Sequence, residues 1–317
     1  MRFDLTVPFA RFAAQHISTL GTPFKRYHMG TVWRGENTQR GRYREFMQCD
    51  FDTIGTTSAI SDLETVLVVH DLLAAIGIDK FTIRINDRRI LSGILEVLGL
   101  TSKTTHVLRC LDKTGKIPRD TLAKELQEQG VSVPSIDRLL GLGELAGSAT
   151  DVLNELQDLV GESVIGTRGV EAVRALLSGL SEVGVGDDRI TLDPSIARGL
   201  DYYTGIVLES FLDELPDLGS VCSGGRYDNL AELYTKQSLP GVGASLGIDR
   251  LLAGLEELDK LTSVETPASI FLVYFDESHL GDYLRIAARL REHGLSVDFY
   301  PEPKKLGQQL KWAGKKG

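Results

Sequence analysis

Residues Phe24 to Gly55 read FKRYHMGTVWRGENTQRGRYREFMQCDFDTIG, two strand-like runs around a polar turn flanked by glycines. The turn, Gly35–Gly41, has the residue types that hairpin loops favour, so the stretch predicts two paired strands. Strand side chains alternate between two faces. The second strand thus has an apolar face of Met47, Cys49 and Phe51 and a polar face of Gln48, Asp50 and Asp52. The apolar face is expected in the core. The polar face taken by itself is expected to meet water, although its acceptors could instead form a pocket for an amine or an imidazolium.

Helices are predicted on both sides of this hairpin. Thr6, followed by a proline two residues later, favours a helix start, because its hydroxyl can cap free N–H groups, and Gly21 favours the end. The run Ser61–Glu64 has the pattern of a capping box, and helical spacing of apolar residues then continues to Gly77. An alternating strand follows, and Asp87 is positioned to cap the next helix.

The rest of the chain divides by pattern. Residues 101–185 are rich in leucine, glutamate and glycine with short helical repeats, which indicates a helical insertion between segments 1–100 and 186–265. Strand patterns resume after the insertion, and residues 268–317 predict the start of a βαβ unit. We expect an α/β (α+β) fold, a largely antiparallel sheet flanked by helices.

Composition excludes several classes of protein. The chain has 317 residues, of which 42% are hydrophobic and 25% charged, values typical of a folded protein of about two domains. A net charge of −9 excludes a chain-wide basic surface for nucleic acid, although not a local basic groove. The three cysteines lie far apart and the histidines lack ligand spacing, so we expect no disulfide framework and no protein-held metal. No apolar run reaches the roughly 18 residues of a membrane span, and we expect a cytoplasmic protein.

Polar clusters mark candidate binding residues. Arg34 and its neighbours surround the hairpin turn, and a guanidinium fork suits phosphate or carboxylate oxygens, although a solvated turn explains any single arginine as well. The stretch Arg198–Gly205 places an arginine, an acid and two phenols beside glycines. Gly224–Asp228 is expected to be a turn more often than a phosphate-binding nest. Arg250 lies in the first turn of a helix, where the helix dipole favours a phosphate.

Taken together, these stretches resemble the class II histidyl-tRNA synthetases. Trp33–Glu36 and Gln39–Gln48 resemble motif 2 of that family, and Arg2–Thr6 resembles its amino-acid loop. Arg198–Gly205 and Gly224–Asp228 resemble the two histidine-specific segments, and Gly241–Arg250 resembles motif 3. Five matches in family order over nearly the whole chain make the resemblance specific.

The resemblance implies a reaction in two steps. The carboxylate of histidine attacks the α-phosphate of ATP to give histidyl-adenylate and pyrophosphate, and the histidyl group then passes to the 3′ end of tRNA(His). It also implies that segments 1–100 and 186–265 form the catalytic core and that 268–317 is a partial α/β anticodon-binding domain. Magnesium is expected to enter with the ATP phosphates, without a protein cage.

The positions of residues within these motifs imply their roles in the site. The resemblance implies Arg34, Arg198 and Arg250 as catalytic residues. It implies Asp4, Thr6 and Gln48 around the α-amino group of histidine and Asp52, Tyr203 and Tyr227 around the imidazole. For ATP it implies Arg34, Glu36, Arg42, Tyr43, Phe46 and Arg250.

The chain also departs from the family pattern. It begins inside the amino-acid loop, so we expect it to lack motif 1, which builds the homodimer interface of the family, and to end before the anticodon domain is complete. One alternative is a non-catalytic paralogue, such as the regulatory subunit of ATP phosphoribosyltransferase. A second alternative is a synthetase-like domain that senses tRNA. Both would be expected to lose the phosphate-binding arginines, which this chain keeps.

Overall fold

The computed structural model describes residues 1–114, 117–196, 202–261 and 266–316. Two compact units account for the chain, Met1–Leu258 and Asp259–Gly317. In the described ranges, no helix is long and apolar enough to cross a membrane. Each unit is built around its own sheet.

The first unit contains a sheet of seven described strands. They are β1 (Phe24–Trp33), β2 (Glu45–Ile54), β3 (Phe81–Asp87), β4 (Ile190–Leu192), β5 (Ile206–Leu212), β6 (Cys222–Arg226) and β7 (Gly241–Gly247). Their order is β1-β2-β7-β6-β5-β3-β4. Every neighbouring pair is antiparallel except β3 and β4. The predicted class, a largely antiparallel sheet with flanking helices, is confirmed.

The hairpin has the predicted alternation, but the expectation that its polar face meets water is wrong. Gln48 is 6% exposed, Asp50 1% and Asp52 5%, whereas Met47 on the opposite face is 43% exposed. The reason is topology: β7 pairs with β2 from the far end of the sequence, so β2 lies inside the sheet. Its polar face is covered and lines a cavity.

Strand β6 replaces the predicted turn at Gly224–Asp228. It runs between β5 and β7, and its glycines allow close packing there. A Cβ atom on Gly224 would lie 2.3 Å from the carbonyl oxygen of Gly243, and one on Gly225 would lie 2.6 Å from that of Ile206. Glycine is therefore required by close approach of backbones, and Gly224 and Gly225 belong to a strand, with the turn following only at Asp228.

The helices of this unit pack around the sheet. They are α1 (Thr6–Leu20), α2 (Ala59–Ala75), α3 (Arg88–Val97), α4 (Thr104–Leu111), α5 (Arg119–Glu128), α6 (Val133–Gly141), α7 (Ala149–Val160), α8 (Val164–Glu182) and α9 (Ile248–Glu257). Segment 101–185 is helical, as predicted. Its last helix, α8, packs on α3, where a Cβ atom on Gly93 would lie 2.4 Å from the Cα atom of Gly166.

Two of the three predicted helix caps are wrong. The Thr6 hydroxyl donates to Asp50 Oδ2 at 3.4 Å, while Asp4 Oδ1 accepts the Val7 N–H at the start of α1. Helix α2 begins before the expected capping box, since the Ser58 hydroxyl accepts from the N–H of Ile60. Asp87 does cap α3, as predicted. The local pattern shows neither the contact between Thr6 and Asp50 nor the earlier start of α2, which is why these two predictions failed.

The second unit is the predicted βαβ arrangement. Parallel strands β8 (Ile270–Leu272) and β9 (Val297–Phe299) are connected by α10 (Leu280–Glu292), and α11 (Leu306–Ala313) follows. The buried amide of Gln309 ties α11 to the strand end, because its Oε1 accepts from Tyr274 N and its Nε2 donates to Lys304 O.

Candidate active site

A cavity of about 730 Å³ lies over one face of the first sheet. Its floor is the polar face of β2 with parts of β5, β6 and β7, and its walls include the segment before α1 and residues of α3 and α4. All six residues predicted to bind histidine line it: Asp4, Thr6, Gln48, Asp52, Tyr203 and Tyr227. The fold thus gathers four separate stretches of sequence around one space.

A second cavity of about 170 Å³ adjoins the first. All six residues predicted to bind ATP line it: Arg34, Glu36, Arg42, Tyr43, Phe46 and Arg250. The two cavities share Arg34, Glu36, Gln48, Glu209, Ser223 and Ser245 in their linings. Ligands in the two cavities would therefore meet beside Arg34.

Arg34 is held in a defined position where β1 ends. Its Nε donates to Phe3 O at 3.1 Å, and its guanidinium carbon lies 4.7 Å from the ring centre of Phe3 and 5.2 Å from that of Phe46. Its backbone N–H donates to Arg44 O at 2.9 Å, which closes the hairpin. Aromatic contacts of this kind orient a guanidinium while its remaining N–H groups can serve a ligand.

The other arginines of the turn have different partners. Arg42 forms an ion pair of 2.7 Å with Glu36 at the rim of the second cavity. Arg40 points elsewhere, to Glu256 and Glu257 of α9 at 3.2 Å each. Arg40 is thus a solvated surface arginine, as the simpler interpretation of a single turn arginine predicts.

Arg250 lies in the first turn of α9, at the end of the second cavity. Its Nη1 donates to Ser220 O at 2.6 Å, which fixes the side chain across the loop before β6. The N-terminus of a helix carries positive potential, which adds to the charge of the guanidinium. This end of the cavity favours an anionic group.

The deep end of the first cavity contains a buried charged pair. Arg26 and Asp52 lie opposite each other on β1 and β2, with Arg26 Nη2 2.7 Å from Asp52 Oδ2. The Tyr227 hydroxyl donates to Asp52 Oδ1 at 2.6 Å. Burial raises the pKa of Asp52 to about 7, against the lowering effects of Arg26 and of the Tyr227 hydrogen bond.

Three tyrosines surround this end. Tyr202 lies 4.9 Å from Tyr203 and 6.0 Å from Tyr227 between ring centres, with edge-to-face geometry. Burial raises the pKa of Tyr203 and of Tyr227, so both hydroxyls stay protonated. They can donate or accept a hydrogen bond, which suits either nitrogen of a neutral imidazole.

The structure adds residues to those that the family motifs imply. Asp50 and Ser245, direct partners across β2 and β7, both line the first cavity, and Glu209 of β5 lines both cavities. The parity of β2 already placed Asp50 on the polar face whose acceptors could form a pocket, whereas Ser245 and Glu209 carry no local signal. Arg198, one of the three predicted catalytic residues, lies outside the described residues.

Three comparisons place the chain among known proteins. A family model described as histidyl-tRNA synthetase matches residues 1–251. A protein named histidine–tRNA ligase from Rhodopirellula baltica is 59% identical over 318 residues, covering 100% of this chain and 72% of that protein. The protein of that name from Wolinella succinogenes is 46% identical over 320 residues, with coverage of 100% and 72%. The crystal structure of histidyl-tRNA synthetase from Nostoc sp. PCC 7120 superposes with a TM-score of 0.86 at 34% identity, covering 100% of this chain and 74% of that one.

Proposed function

The chain belongs to the histidyl-tRNA synthetase family, and on that premise we propose which of its side chains act when it activates histidine with ATP and charges tRNA. The alternatives, a regulatory paralogue or a tRNA sensor, are not favoured at 59% identity to a histidine–tRNA ligase. Histidine occupies the larger cavity and ATP extends into the smaller one. The observation that carries this proposal is the shared wall at Arg34 between the two sets of predicted residues.

Arg34 brings the two reacting groups together. The histidine carboxylate and the α-phosphate are both anionic, so their approach is opposed by charge. A guanidinium fork between them donates to both and offsets the repulsion as the new bond forms. The reaction needs this neutralisation and correct placement more than it needs an acid or a base. Arg198 is proposed to donate to the α-phosphate in the transition state.

Histidine is recognised along β2. Asp4, Thr6 and Gln48 surround the α-amino group, and the oxygens of Asp52, Tyr203 and Tyr227 contact the imidazole. A site that hydrogen-bonds both ring nitrogens rejects analogues that lack them, because its own buried polar groups would then be left without partners.

ATP is held by the motif 2 turn and α9. Glu36, Arg42, Tyr43 and Phe46 contact the nucleotide, and Arg250 clamps the far end of ATP and stacks on adenine. The described residues contain no group of three or more side chains suited to a metal ion. Magnesium is therefore proposed to enter on the phosphates with most of its waters, with Glu209 as a carboxylate on the wall of both cavities. Bound there, it would neutralise phosphate charge.

The proposal also covers the oligomeric state of the chain, its location in the cell and the roles of its segments. The chain works as a homodimer in the cytoplasm, where ATP and tRNA are available. Support for an interface comes from β1, which ends the described sheet and exposes 77% of Tyr27 and 60% of Met29. Segments 1–100 and 186–265 act as the catalytic core, 101–185 as an insertion, and 268–317 as part of an anticodon-binding domain. Light scattering of the purified chain tests the dimer.

The function is tested by histidine-dependent exchange of pyrophosphate into ATP, which reports adenylate formation without tRNA. We expect Arg34→Ala to lower the exchange rate by about 10²- to 10³-fold, the usual effect of removing one donor to a developing charge. Arg40→Ala is the matched control from the same turn, since its ion pairs are exposed, and should keep the rate within about threefold. Equal rates for the two variants would contradict the role of Arg34. The same assay on Arg198→Ala tests the third arginine.

A further inference from the structure

Two acceptor atoms on the floor of the larger cavity lack donors. Asp50 Oδ1 and Gln48 Oε1 are buried, and neither accepts a hydrogen bond from any residue that the structure describes. Both side chains lie on the cavity face of β2, two positions apart, so their Cα atoms are about 7 Å from each other along the strand and their side chains point to the same side. Buried acceptors are nearly always satisfied in native proteins, so this pair indicates a ligand that donates.

The chemistry of the pair defines the ligand. An ionised carboxylate only accepts hydrogen bonds, and an amide oxygen does the same, so a phosphate or a carboxylate is excluded here. The rest of the Asp50 carboxyl has hydroxyl partners: Oδ2 accepts from Thr6 at 3.4 Å, and the Ser245 hydroxyl also hydrogen-bonds to this carboxyl. A primary ammonium group carries three donors and a positive charge, which matches one amide oxygen and one carboxylate oxygen that both lack donors. Burial raises the pKa of Asp50, and a bound cation would lower it again.

Different residues along β2 are expected to contact the ammonium group and the imidazole of histidine. Asp52 Oδ1 accepts from Tyr227 and its Oδ2 lies 2.7 Å from Arg26 Nη2, so this carboxylate already has a cationic partner within the protein. Gln48 lines both cavities together with Arg34. The carboxylate and ammonium of an amino acid share one carbon atom. A carboxylate held by Arg34 therefore leaves the ammonium over Gln48 and Asp50.

We propose that Asp50 binds the α-ammonium group of histidine directly, through Oδ1, with Gln48 Oε1 as the second acceptor. This assignment rests on the function proposed above and deepens it, since Asp50 was not among the residues that the family motifs imply. It makes Asp50 a residue that selects amino acids over deaminated analogues.

The test is titration calorimetry with three probes on the full chain and on Asp50→Asn. Histidine and histidinol both carry the ammonium group, and imidazolepropionate lacks it and is measured by competition. We expect Asp50→Asn to raise the dissociation constants of histidine and histidinol by about 10-fold or more, the effect of losing a charged hydrogen bond. The dissociation constant of imidazolepropionate should change by less than about twofold. Asp158→Asn, an exposed acid on α7, is the matched control and should leave all three unchanged.

Other results overturn the assignment. If Asp50→Asn weakens the binding of all three probes equally, Asp50 acts on the imidazole or on the fold. If binding of none of them is weakened, Asp50 does not contact the ligand. Thermal unfolding separates a structural role: if Asp50→Asn loses affinity for histidine at an unchanged melting temperature, the variant has lost a ligand contact and not its fold. If the unaltered chain binds neither histidine nor histidinol, the proposed function itself fails. If it binds both, the pattern in Asp50→Asn decides the role of Asp50.

Discussion

Asp52 is a carboxyl group whose charge is controlled by its surroundings. Burial raises its pKa to about 7, while Arg26 and Tyr227 favour its ionised form. Its ordinary pKa is 3.8, so between those values the folded chain holds a proton that the unfolded chain has released. The stabilising contribution of this proton is complete below the ordinary pKa and is lost as the pH rises through the folded value.

We therefore expect Asp52→Asn to flatten the pH dependence of stability. The unaltered chain should lose free energy of unfolding as the pH rises from about 4 to about 7, and the variant should lose less over that range. Urea denaturation at a series of pH values measures this. Asp158→Asn should follow the unaltered profile, and an unchanged slope in Asp52→Asn would show that Asp52 titrates near its ordinary pKa.

At the scale of elements, a buried guanidinium connects α2 to β6 beneath the cavity. Arg226 Nε donates to Asp62 at 2.9 Å, and its Nη atoms donate to Thr56 O at 3.1 Å and Ser58 O at 3.2 Å. Its carbonyl oxygen accepts from the N–H of Thr204, the residue after Tyr203. The next residue in the chain is Tyr227. The guanidinium thus fixes the backbone that carries Tyr203 and Tyr227, the two tyrosines proposed to contact the imidazole.

Removing that connection should be costly for a specific reason. Arg226→Met leaves Asp62 buried without its charged partner, and we expect a loss of about 3–5 kcal/mol in the free energy of unfolding. Replacing Asp62 by leucine in the same chain should recover part of the lost free energy of unfolding, because no charge is then buried without a partner. A double-mutant cycle by urea denaturation measures the coupling. Additive losses would mean that the two residues stabilise the fold independently.

At the scale of the molecule, each compact unit contains one tryptophan. Trp33 ends β1 in Met1–Leu258, and Trp312 lies in α11 within Asp259–Gly317. The residues proposed for histidine and ATP all belong to the first unit. Ligands that bind the folded form stabilise it by mass action, about 2.7 kcal/mol at 100 times the dissociation constant.

Because each unit has a single tryptophan, ligand binding to the first unit can be followed by the fluorescence of Trp33 alone. In Trp312→Phe the remaining signal comes from Trp33, and we expect saturating histidine with ATP to raise the unfolding midpoint that it reports. Histidine should be replaced by alanine, at equal concentration, as the ligand control. A midpoint that does not move with histidine and ATP would contradict binding in the first unit.

The sequence by itself determined the features that depend on near neighbours in the chain. The hairpin at Phe24–Gly55, the cap at Asp87, the helical segment 101–185 and the βαβ unit all follow from local spacing and turn residues. Motifs in family order also selected the residues that line the two cavities. Arg34, Gln48 and Asp52 lie in or next to the hairpin, whereas Thr6 and Arg250 lie in the first turns of α1 and α9.

Tertiary structure decided what lies beside those residues. The polar face of β2 is buried because β7 pairs with it, which brings Gln48 and Ser245 together although they are 197 residues apart. Thr6 contacts Asp50 instead of capping α1, and the glycines at 224 and 225 belong to a strand because two backbones approach them. Such contacts depend on which distant segments the topology joins. Local periodicity carries no information about that, because it is the same whether a polar strand face meets water or a cavity.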